Sequence, residues 1–363
     1  MIFLKNDYSL GAHPKVFDAL AETNMTLSDG YGCDPHCYEA ADLIRALIGC
    51  DTADVHFLTG GTQTNQTALA AFLRPHHSII SADTGHICVH ETGAIEATGH
   101  KINHVATQYG KLTPEDIDKV MIFHEDEHYV LPKIIYISDS TETGLIYTKS
   151  ELLALRDACD RHNLLMYIDG ARLAMALTAS ENDLTFKDLP QIADAFYIGG
   201  TKNGLLFGEA LVIVNDALKE DMRFLIKQRG GMLAKGRLLG VQFNALLKDD
   251  LYLSLGAHAN KMARTLVEGI RSKGYDFVIP PATNLIFPLF PKELVEKLSE
   301  SVMFETWPFV TDTHQAIRLV TSWGTTLEEV EDFLKLIYLW RKKNEQDLYR
   351  KSSCSSRTIL TGN

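Results

Sequence analysis

The sequence predicts an α/β protein with a mostly parallel sheet covered by helices, followed by a smaller C-terminal α+β domain. From about residue 54 to 214, short apolar runs alternate with amphipathic stretches, the pattern of parallel strands joined by helical crossovers. After about residue 236 the pattern changes to long helical stretches mixed with short apolar runs. The 363 residues are enough for two packed domains.

The elements of the first domain follow from the spacing of its apolar residues. Thr113, followed by Pro114 and Glu115, is a typical helix N-cap and predicts a helix that ends at Phe123. Two more helices are predicted at 64–73 and 150–162. The predicted strands are VHFL (55–58), SII (78–80), KIIYIS (133–138), LLMYID (164–169), AFYIG (195–199) and ALVIV (210–214).

The second domain is predicted from residues 236–273, which form one or two long helices, and from the segments after them. A helix is predicted at 291–298, and another from Leu327 to about Arg341, where apolar residues recur at the three- and four-residue spacing of one buried face. We therefore divide the chain into a large domain with an N-terminal arm, a small domain and a loose tail. The three ranges are 1–250, 251–345 and 346–363.

Composition and charge exclude several classes of protein. The net charge of −12 argues against a nucleic-acid partner, and no apolar run reaches the roughly 18 residues that a membrane span needs. The first residues contain no long apolar segment, so we expect a cytoplasmic protein. The six cysteines lack paired metal-ligand spacing, which favours reduced thiols over a zinc site at Cys33 and Cys37.

The stretch AFYIGGTKNGLLFGEALVIV places Lys202 at the rim of the sheet, between two apolar runs. A lysine is rare in such a place unless it is paired or chemically employed. The surrounding glycines allow the backbone to bend closely around a small ligand. Lys202 therefore indicates either anion binding or covalent chemistry with a carbonyl group.

Two other strand ends carry groups that match such a lysine. Gly60 and Gly61 follow the strand VHFL, and Thr62 opens a helix, so this turn is either a phosphate cradle of free backbone N–H groups or a plain turn. Asp169 ends the strand LLMYID and is either a helix N-cap or a carboxylate directed into a site. Arg172 is either a surface cation or an anion ligand near that carboxylate.

The segment 82–102 contains three histidines, His86, His90 and His100. The first two have the spacing of a helical metal site, but no carboxylate or third histidine completes a set, and HETGA is not HExxH. We therefore expect no metal here. A ring beside a cofactor, or an ordinary half-buried histidine, fits the segment better.

Together, a phosphate cradle, a strand-end aspartate and a strand-end lysine meet the needs of pyridoxal 5'-phosphate. The phosphate anchors the cofactor, Asp169 keeps the pyridine nitrogen protonated and Lys202 forms the Schiff base. The protonated ring then serves as an electron sink for chemistry at the substrate α-carbon. A non-catalytic carrier or regulator that binds the same compound is the alternative from another class, and the intact set of groups argues against it.

Several motifs resemble the low-specificity L-threonine aldolases and related β-eliminating lyases, which have the aspartate-aminotransferase (type I) fold. The resemblance extends from about residue 2 to about residue 340. It implies retro-aldol cleavage of β-hydroxy-α-amino acids to glycine and an aldehyde, with β-elimination or transamination on the same residues as alternatives. The motifs are YIDGARL, IGGTKNGLLFGEA and GYGCDPHCYEAADLIRALIG.

The resemblance also implies roles for individual residues. Lys202 is the Schiff-base lysine, Asp169 pairs with the pyridine nitrogen, and His86 stacks on the ring and serves as a general base. Arg318 binds the substrate carboxylate, unless it is a rim arginine that supports the second domain. Arg172 is implied to contact the cofactor or the substrate carboxylate, and Asn6 the substrate. Arg229 and Lys235 are implied to bind the phosphate in a neighbouring subunit, unless they belong to an exposed basic loop. The other implied contacts to the cofactor are Gly60, Gly61, Thr62 and Thr201.

Three departures from the family pattern bear on the substrate. The histidine that contacts the substrate β-hydroxyl is absent from SDSTETGLIYT, where Thr141 and Glu142 stand instead. The first strand ends in Lys5-Asn6-Asp7 rather than RSD, and Gly60 replaces the serine of an SGT turn. Because type I enzymes build each site from two chains, the resemblance further implies a homodimer or homotetramer, with Tyr31 reaching the partner's site.

Overall fold

The computed structural model of the protein describes residues 1–355, and its centre is a seven-stranded sheet. A short first strand lies outside this sheet and pairs with the C-terminal part of the chain. In chain order the strands are β1 (Ile2–Phe3), β2 (Asp54–Leu58), β3 (His77–Ala82), β4 (Lys101–Val105), β5 (Leu131–Ser138), β6 (Leu165–Asp169), β7 (Ala195–Gly199), β8 (Glu209–Ile213), β9 (Leu285–Ile286), β10 (Leu289–Pro291), β11 (Val302–Met303), β12 (Glu305–Val310) and β13 (His314–Val320).

The order of strands in the large sheet is β2-β8-β7-β6-β5-β3-β4. Strands β7, β6, β5, β3 and β4 are parallel, and β8 lies antiparallel between β2 and β7. Because β2 and β7 are both antiparallel to β8, they point the same way. The carboxyl ends of β2, β5, β6 and β7 therefore share one edge of the sheet, where ligand sites of such sheets are found.

Helices cover both faces of this sheet and start at well-capped residues. Thr113 and Thr148 each form a capping box with the acidic residue three positions later, and Asp34 caps the helix that begins at Pro35. The helices are α1 (Pro14–Glu22), α2 (Pro35–Ile48), α3 (Gly61–Phe72), α4 (His86–Val89), α5 (Pro114–Phe123), α6 (Lys149–His162), α7 (Leu173–Leu177), α8 (Leu189–Ile192), α9 (Met222–Gln228), α10 (Arg237–Leu247), α11 (Leu251–Ser272), α12 (Lys292–Ser299) and α13 (Leu327–Ser355).

The C-terminal part has its own antiparallel sheet, in which β13 pairs with β9, β10 and β12. Helices α11, α12 and α13 pack a second hydrophobic core on this sheet. Helix α11 belongs to both cores, because Leu255 and Ala259 pack with the large domain and Leu266 and Ile270 with the small one. Strand β1 pairs in parallel with β11, and Leu4 is buried in the second core, so the first residues lie with the small domain.

All six strands and the helices predicted from the sequence are present, within a few residues of their predicted ends. Strand β4 was not predicted, because it is short and lies at the sheet edge with only part of its side chains buried. Helices α1 and α2 were not predicted either. The last helix continues past Arg341 to Ser355, so the expectation of a loose tail from residue 346 was wrong as far as Ser355, and 356–363 lie outside the described residues.

Within residues 1–355, no helix combines the length and apolar character required to cross a membrane.

The contact between α11 and α7 depends on Gly256. A Cβ atom at this position would lie 2.6 Å from the backbone carbonyl carbon and oxygen of Ala174. We expect Gly256→Ala to lower the free energy of unfolding by about 1–3 kcal/mol, because backbone has to move, although alanine is the better helix former. Chemical denaturation measures the change. The exposed Lys261→Ala on the same helix is the control, expected within about 0.5 kcal/mol, and a Gly256→Ala variant as stable as the wild type would contradict the close packing.

Candidate active site

Three neighbouring strands place a tyrosine at the same position. Tyr136, Tyr167 and Tyr197 each come two residues before the last residue of β5, β6 and β7. Because side chains alternate along a strand, each tyrosine faces the same side of the sheet as its strand-end residue. All three are fully buried, and they lie in one core cluster. Their hydroxyl groups therefore lie on one face of the sheet, close to the carboxyl end of β6.

Asp169, the last residue of β6, is a buried carboxylate that accepts hydrogen bonds from four groups. Oδ2 accepts from the Tyr136 hydroxyl at 2.5 Å and from Asn65 Nδ2 at 2.9 Å, and Oδ1 accepts from the Tyr197 hydroxyl and from the Ala171 amide. Burial acts to raise the pKa of Asp169, but His86 and these hydrogen bonds hold it below its ordinary value. Asp169 is therefore a fixed negative charge at the edge of the sheet.

His86 begins α4 and is connected to Asp169 through two side chains. Its Nδ1 lies 2.7 Å from Oε1 of Glu91, a residue whose side chain is fully buried. Asn65 Nδ2 donates to the same Glu91 oxygen at 2.8 Å and to Asp169 at 2.9 Å. The carboxylate that holds the imidazole and the carboxylate of Asp169 thus share the Asn65 amide.

Glu142 anchors the other side of His86. Its Oε1 accepts from the His86 backbone amide at 2.9 Å and from the Ser138 hydroxyl at 2.6 Å. Burial raises the pKa of Glu142; the Ser138 hydrogen bond opposes this, and the negative charge of Asp169 adds to it. Glu142 lies in the segment where the sequence pattern lacked a histidine, so a carboxyl group stands beside the site instead.

Lys202 follows β7 in the loop that turns back into β8. Burial, together with the charge of Arg172, lowers the pKa of Lys202, although Asp7, Asp169 and Glu209 oppose the shift. A lowered pKa increases the fraction of neutral, nucleophilic amine. Within the described residues the ammonium group makes no hydrogen bond or ion pair, so it is held at the site by its loop.

Glu209, at the start of β8, closes the Lys202 loop. Its Oε2 accepts from the Gly200 amide at 2.9 Å. Burial raises its pKa to about 7, against the lowering effect of a hydrogen bond from Thr201 and of the Lys202 charge. Thr201 Oγ1 accepts from the Gly208 amide at 3.0 Å, which holds the two ends of the loop together.

Arg172 lies in a buried ion pair that joins three parts of the chain. Its Nε and Nη2 donate to the two oxygens of Asp7 at 2.7 and 3.0 Å, and Asn284 Nδ2 donates to Asp7 Oδ2 at 3.0 Å. Burial acts to raise the pKa of Asp7, but Arg172 and Lys202 reverse the effect and lower it. The N-terminal arm, the strand-end turn after β6 and the small domain therefore meet at this pair.

Arg318 lies on β13 and faces the same region. It forms an ion pair with Glu305 of the neighbouring strand β12 at 2.8 Å, while its Nε is buried without a partner in the described chain. Burial lowers the pKa of Arg318, Glu305 opposes the shift, and the charge of Arg172 adds to it. The positive charges of Arg172 and Arg318 are thus close enough to repel each other, and Nε of Arg318 has no partner in the described chain.

Gly60 and Gly61 form the N-terminus of α3 at the same edge of the sheet. No side chain caps this helix, and a Cβ on Gly60 would meet no atom within 4 Å, so the space above the turn is open. A Cβ on Gly61 would lie 3.0 Å from the Tyr197 hydroxyl, a close contact that favours glycine at this position. Thr62 is exposed in the first turn.

Other residues of the predicted site lie apart from this cluster. Asn6 Oδ1 accepts from the Tyr8 amide and the Ser9 hydroxyl, so it structures the N-terminal arm. Arg229 directly follows α9 as its C-cap, and Lys235 is exposed in the following loop. Neither makes a hydrogen bond or ion pair with the central cluster in the described chain. Their contacts to a phosphate remain a prediction that requires a second subunit.

Sequence reasoning missed the residues that hold the central groups in place. The tyrosine repeated before the ends of three adjacent strands was a usable signal, because a polar tip in an apolar run needs a partner. Asp7 was noticed only as a departure from a motif. The missed residues are Asp7, Asn65, Glu91, Tyr136, Ser138, Tyr167, Tyr197, Glu209 and Asn284.

Comparison with known proteins gives three relevant matches. The low-specificity L-threonine aldolase of Pseudomonas aeruginosa is 33% identical over 93% of this chain and 97% of its own length. The structure of Leishmania major threonine aldolase has a TM-score of 0.93 and 46% identity, covering 94% of this chain and 99% of that one. A Thermus thermophilus aspartate aminotransferase has a TM-score of 0.70 at 15% identity, covering 93% and 90%, a similarity of fold alone.

The model of the β-eliminating lyase family matches residues 10–291, and the chain belongs to that family of lyases. Within the family it belongs with the low-specificity L-threonine aldolases. The predicted aspartate-aminotransferase-like fold is thereby confirmed.

The ion pair between Asp7 and Arg172 generates a stability prediction. We expect Asp7→Asn to lower the free energy of unfolding by about 3–5 kcal/mol, because it leaves a buried guanidinium without its counter-charge. Since the pKa of Asp7 is lowered by folding, its contribution is present above about pH 4 and is lost as the pH falls through the folded value.

Urea denaturation of both proteins across the acidic range measures this effect. The Asn variant should lack the part of the acid destabilisation that Asp7 causes in the wild type. Asp249→Asn, which removes an exposed ion pair with Lys15, is the control and should change little. Equal stability of wild type and Asp7→Asn at neutral pH would contradict a structural role of the pair.

Proposed function

We propose that this chain binds pyridoxal 5'-phosphate and cleaves L-threonine, L-allo-threonine and related β-hydroxy-α-amino acids to glycine and an aldehyde. The observation that carries the proposal is the fixed negative charge of Asp169 next to the strand-end loop of Lys202. The proposal is further supported by the names of the relatives, which are low-specificity L-threonine aldolases.

The residues present fit this cofactor. A buried carboxylate that stays charged suits a protonated ring nitrogen, and the open, uncapped turn at Gly60 and Gly61 suits a phosphate at a helix N-terminus. Lys202 supplies the amine that attaches the cofactor. When bound, the cofactor supplies an electron sink for the bond broken at the substrate α-carbon. Thr62 and Thr201 would complete the contacts to the cofactor.

The other residues bind and orient the amino acid. Arg318 offers an unpaired, buried guanidinium nitrogen for the substrate carboxylate, and Arg172, kept rigid by Asp7, supplies a second positive charge. His86, anchored by its backbone amide, accepts the proton of the β-hydroxyl group. Asp169 keeps its negative charge throughout, which is electrostatic preorganisation. Glu142 lies in the segment where the resemblance implied a hydroxyl-binding histidine, and we assign hydroxyl recognition to this region.

A homo-oligomer with shared sites forms the last part of the proposal. The segment 23–34, between α1 and α2, exposes apolar side chains that a monomer would seldom leave in water: Met25 is 89% and Leu27 98% exposed. In such an oligomer, Tyr31 of the same segment would contribute to the site of the neighbouring subunit. Arg229 and Lys235 would bind the phosphate group of the cofactor in that site.

Lys202→Ala tests the assignment directly. We expect this variant to lose the visible absorption band of the lysine-bound cofactor and to form no glycine or acetaldehyde from L-threonine, because it removes the amine that attaches the cofactor. Lys297→Ala, an exposed lysine on α12, should behave as the wild type. Wild-type turnover by Lys202→Ala would contradict the role of the lysine. Pyruvate with ammonia, or a 2-oxo acid formed only with an amino acceptor, would instead indicate β-elimination or transamination.

Arg318→Gln tests carboxylate binding. We expect KM for L-threonine to rise about tenfold to a hundredfold with a smaller change in kcat, since a charge-assisted hydrogen bond contributes roughly 1.5–3 kcal/mol. Steady-state kinetics with saturating cofactor measures both constants. If KM stayed at the wild-type value, Arg318 would be only a support for the second domain, held by Glu305.

A further inference from the structure

We propose that Glu91, held by Asn65, is a positioning residue that fixes the His86 imidazole with its proton on Nδ1, so that Nε2 is the nitrogen that accepts a proton in the site. The identity of that proton rests on the proposed function. The position of the proton on the ring is a property of the folded chain.

The contact between the ring and the carboxylate is direct. His86 Nδ1 and Glu91 Oε1 are 2.7 Å apart, and the Glu91 side chain is fully buried. An ionised carboxylate only accepts hydrogen bonds, whereas a neutral imidazole nitrogen either donates or accepts. The proton must therefore lie on Nδ1 if Oε1 is an acceptor.

Asn65 establishes that Oε1 is an acceptor. Asp169 Oδ2 belongs to an ionised carboxylate and only accepts, so the amide atom that faces it is Nδ2, and the Tyr167 hydroxyl donates to Oδ1 at 3.1 Å. Both hydrogens of Nδ2 are then used, one toward Glu91 Oε1 at 2.8 Å and one toward Asp169 Oδ2 at 2.9 Å. Oε1 thus receives one hydrogen from Asn65 and a second from His86.

The other ring nitrogen is the one that a substrate can reach. Within the described chain, His86 Nε2 makes no hydrogen bond to protein, and the side chain is 28% exposed. The backbone amide of His86 is fixed separately by Glu142. With its main chain and Nδ1 both held, the ring has one free nitrogen and one orientation, as a general base requires.

Asn65 also couples this base to the floor of the site. The Asn65 amide nitrogen donates to both Glu91 and Asp169. The distance between the carboxylate that holds His86 and the carboxylate assigned to the pyridine nitrogen of the cofactor is therefore fixed. A shift in either carboxylate would strain the hydrogen bond to the other. The base and the fixed negative charge are therefore aligned by one buried side chain.

The test is the tautomer of His86 in the holoenzyme, measured by nitrogen-15 NMR on protein labelled at histidine, in a pH series that extends to the neutral form of the ring. His86→Asn assigns the signal. We expect the wild type to carry the proton on Nδ1 and Glu91→Met, which has no oxygen to accept it, to shift toward the Nε2–H form. We also expect kcat of Glu91→Met for L-threonine to fall about 10²- to 10⁴-fold, with a much smaller change in KM.

Two variants separate positioning from a general structural effect. Glu91→Asp keeps a carboxylate and should retain more of the Nδ1–H form and of kcat than Glu91→Met. Glu96→Gln, at an exposed position of the same segment, should match the wild type in both measurements. Retention of the cofactor band checks that the site has folded.

The possible outcomes are distinct. A wild-type His86 protonated on Nε2 overturns the inference even if no Glu91 variant folds, and so does a folded Glu91→Met with wild-type tautomer and kcat. If the wild type forms no glycine and aldehyde, the proposed function fails, while the NMR measurement still decides whether Glu91 positions His86.

Discussion

The structure of the site depends on one constraint, which is that the charge of Asp169 is buried and has to be compensated. Unpaired, a buried carboxylate would take up a proton, since desolvation disfavours the charged form. Four donors from different parts of the chain prevent this: Asn65 on α3, Tyr136 on β5, Tyr197 on β7 and the Ala171 amide. Each donor is in place only if its element is packed in register, so assembly of the sheet and formation of the site are one event.

The same principle applies at the opposite side of the site. Arg172 and Asp7 are both buried, and each is acceptable there only because it pairs with the other. The pair connects the arm to the turn after β6, and Asn284 adds the small domain. The desolvation of these two charges is thus compensated only when the small domain packs against the large one. The lowered pKa of Lys202 follows from the same crowding, because Arg172 and burial together disfavour its protonated form.

Much of this organisation was present in the local sequence. The strands, the capped helices, the loop that carries Lys202 and the strand-end position of Asp169 are consequences of apolar spacing and of turn residues, which act over a few positions. Strand β4 was missed because it is short and lies at the sheet edge, whereas helices α1 and α2 were missed although Pro14 and the pair Asp34-Pro35 are usable helix-start signals. The expectation of a loose tail was wrong up to Ser355, because a polar helix without a strong apolar stripe resembles a disordered segment in composition.

By itself, the sequence determined the class of fold, the edge of the sheet at which a site forms, and the lysine and aspartate found there. Only the tertiary structure decided which groups hold them, because those partners are distant along the chain: Asn65 meets Asp169, and Asp7 meets Arg172, across more than a hundred residues. Hydrogen bonds form between groups that packing brings within about 3 Å, and no local pattern encodes such a distance. The motifs therefore indicate the type of reaction, whereas the positions of the reacting groups are set only when both hydrophobic cores have packed.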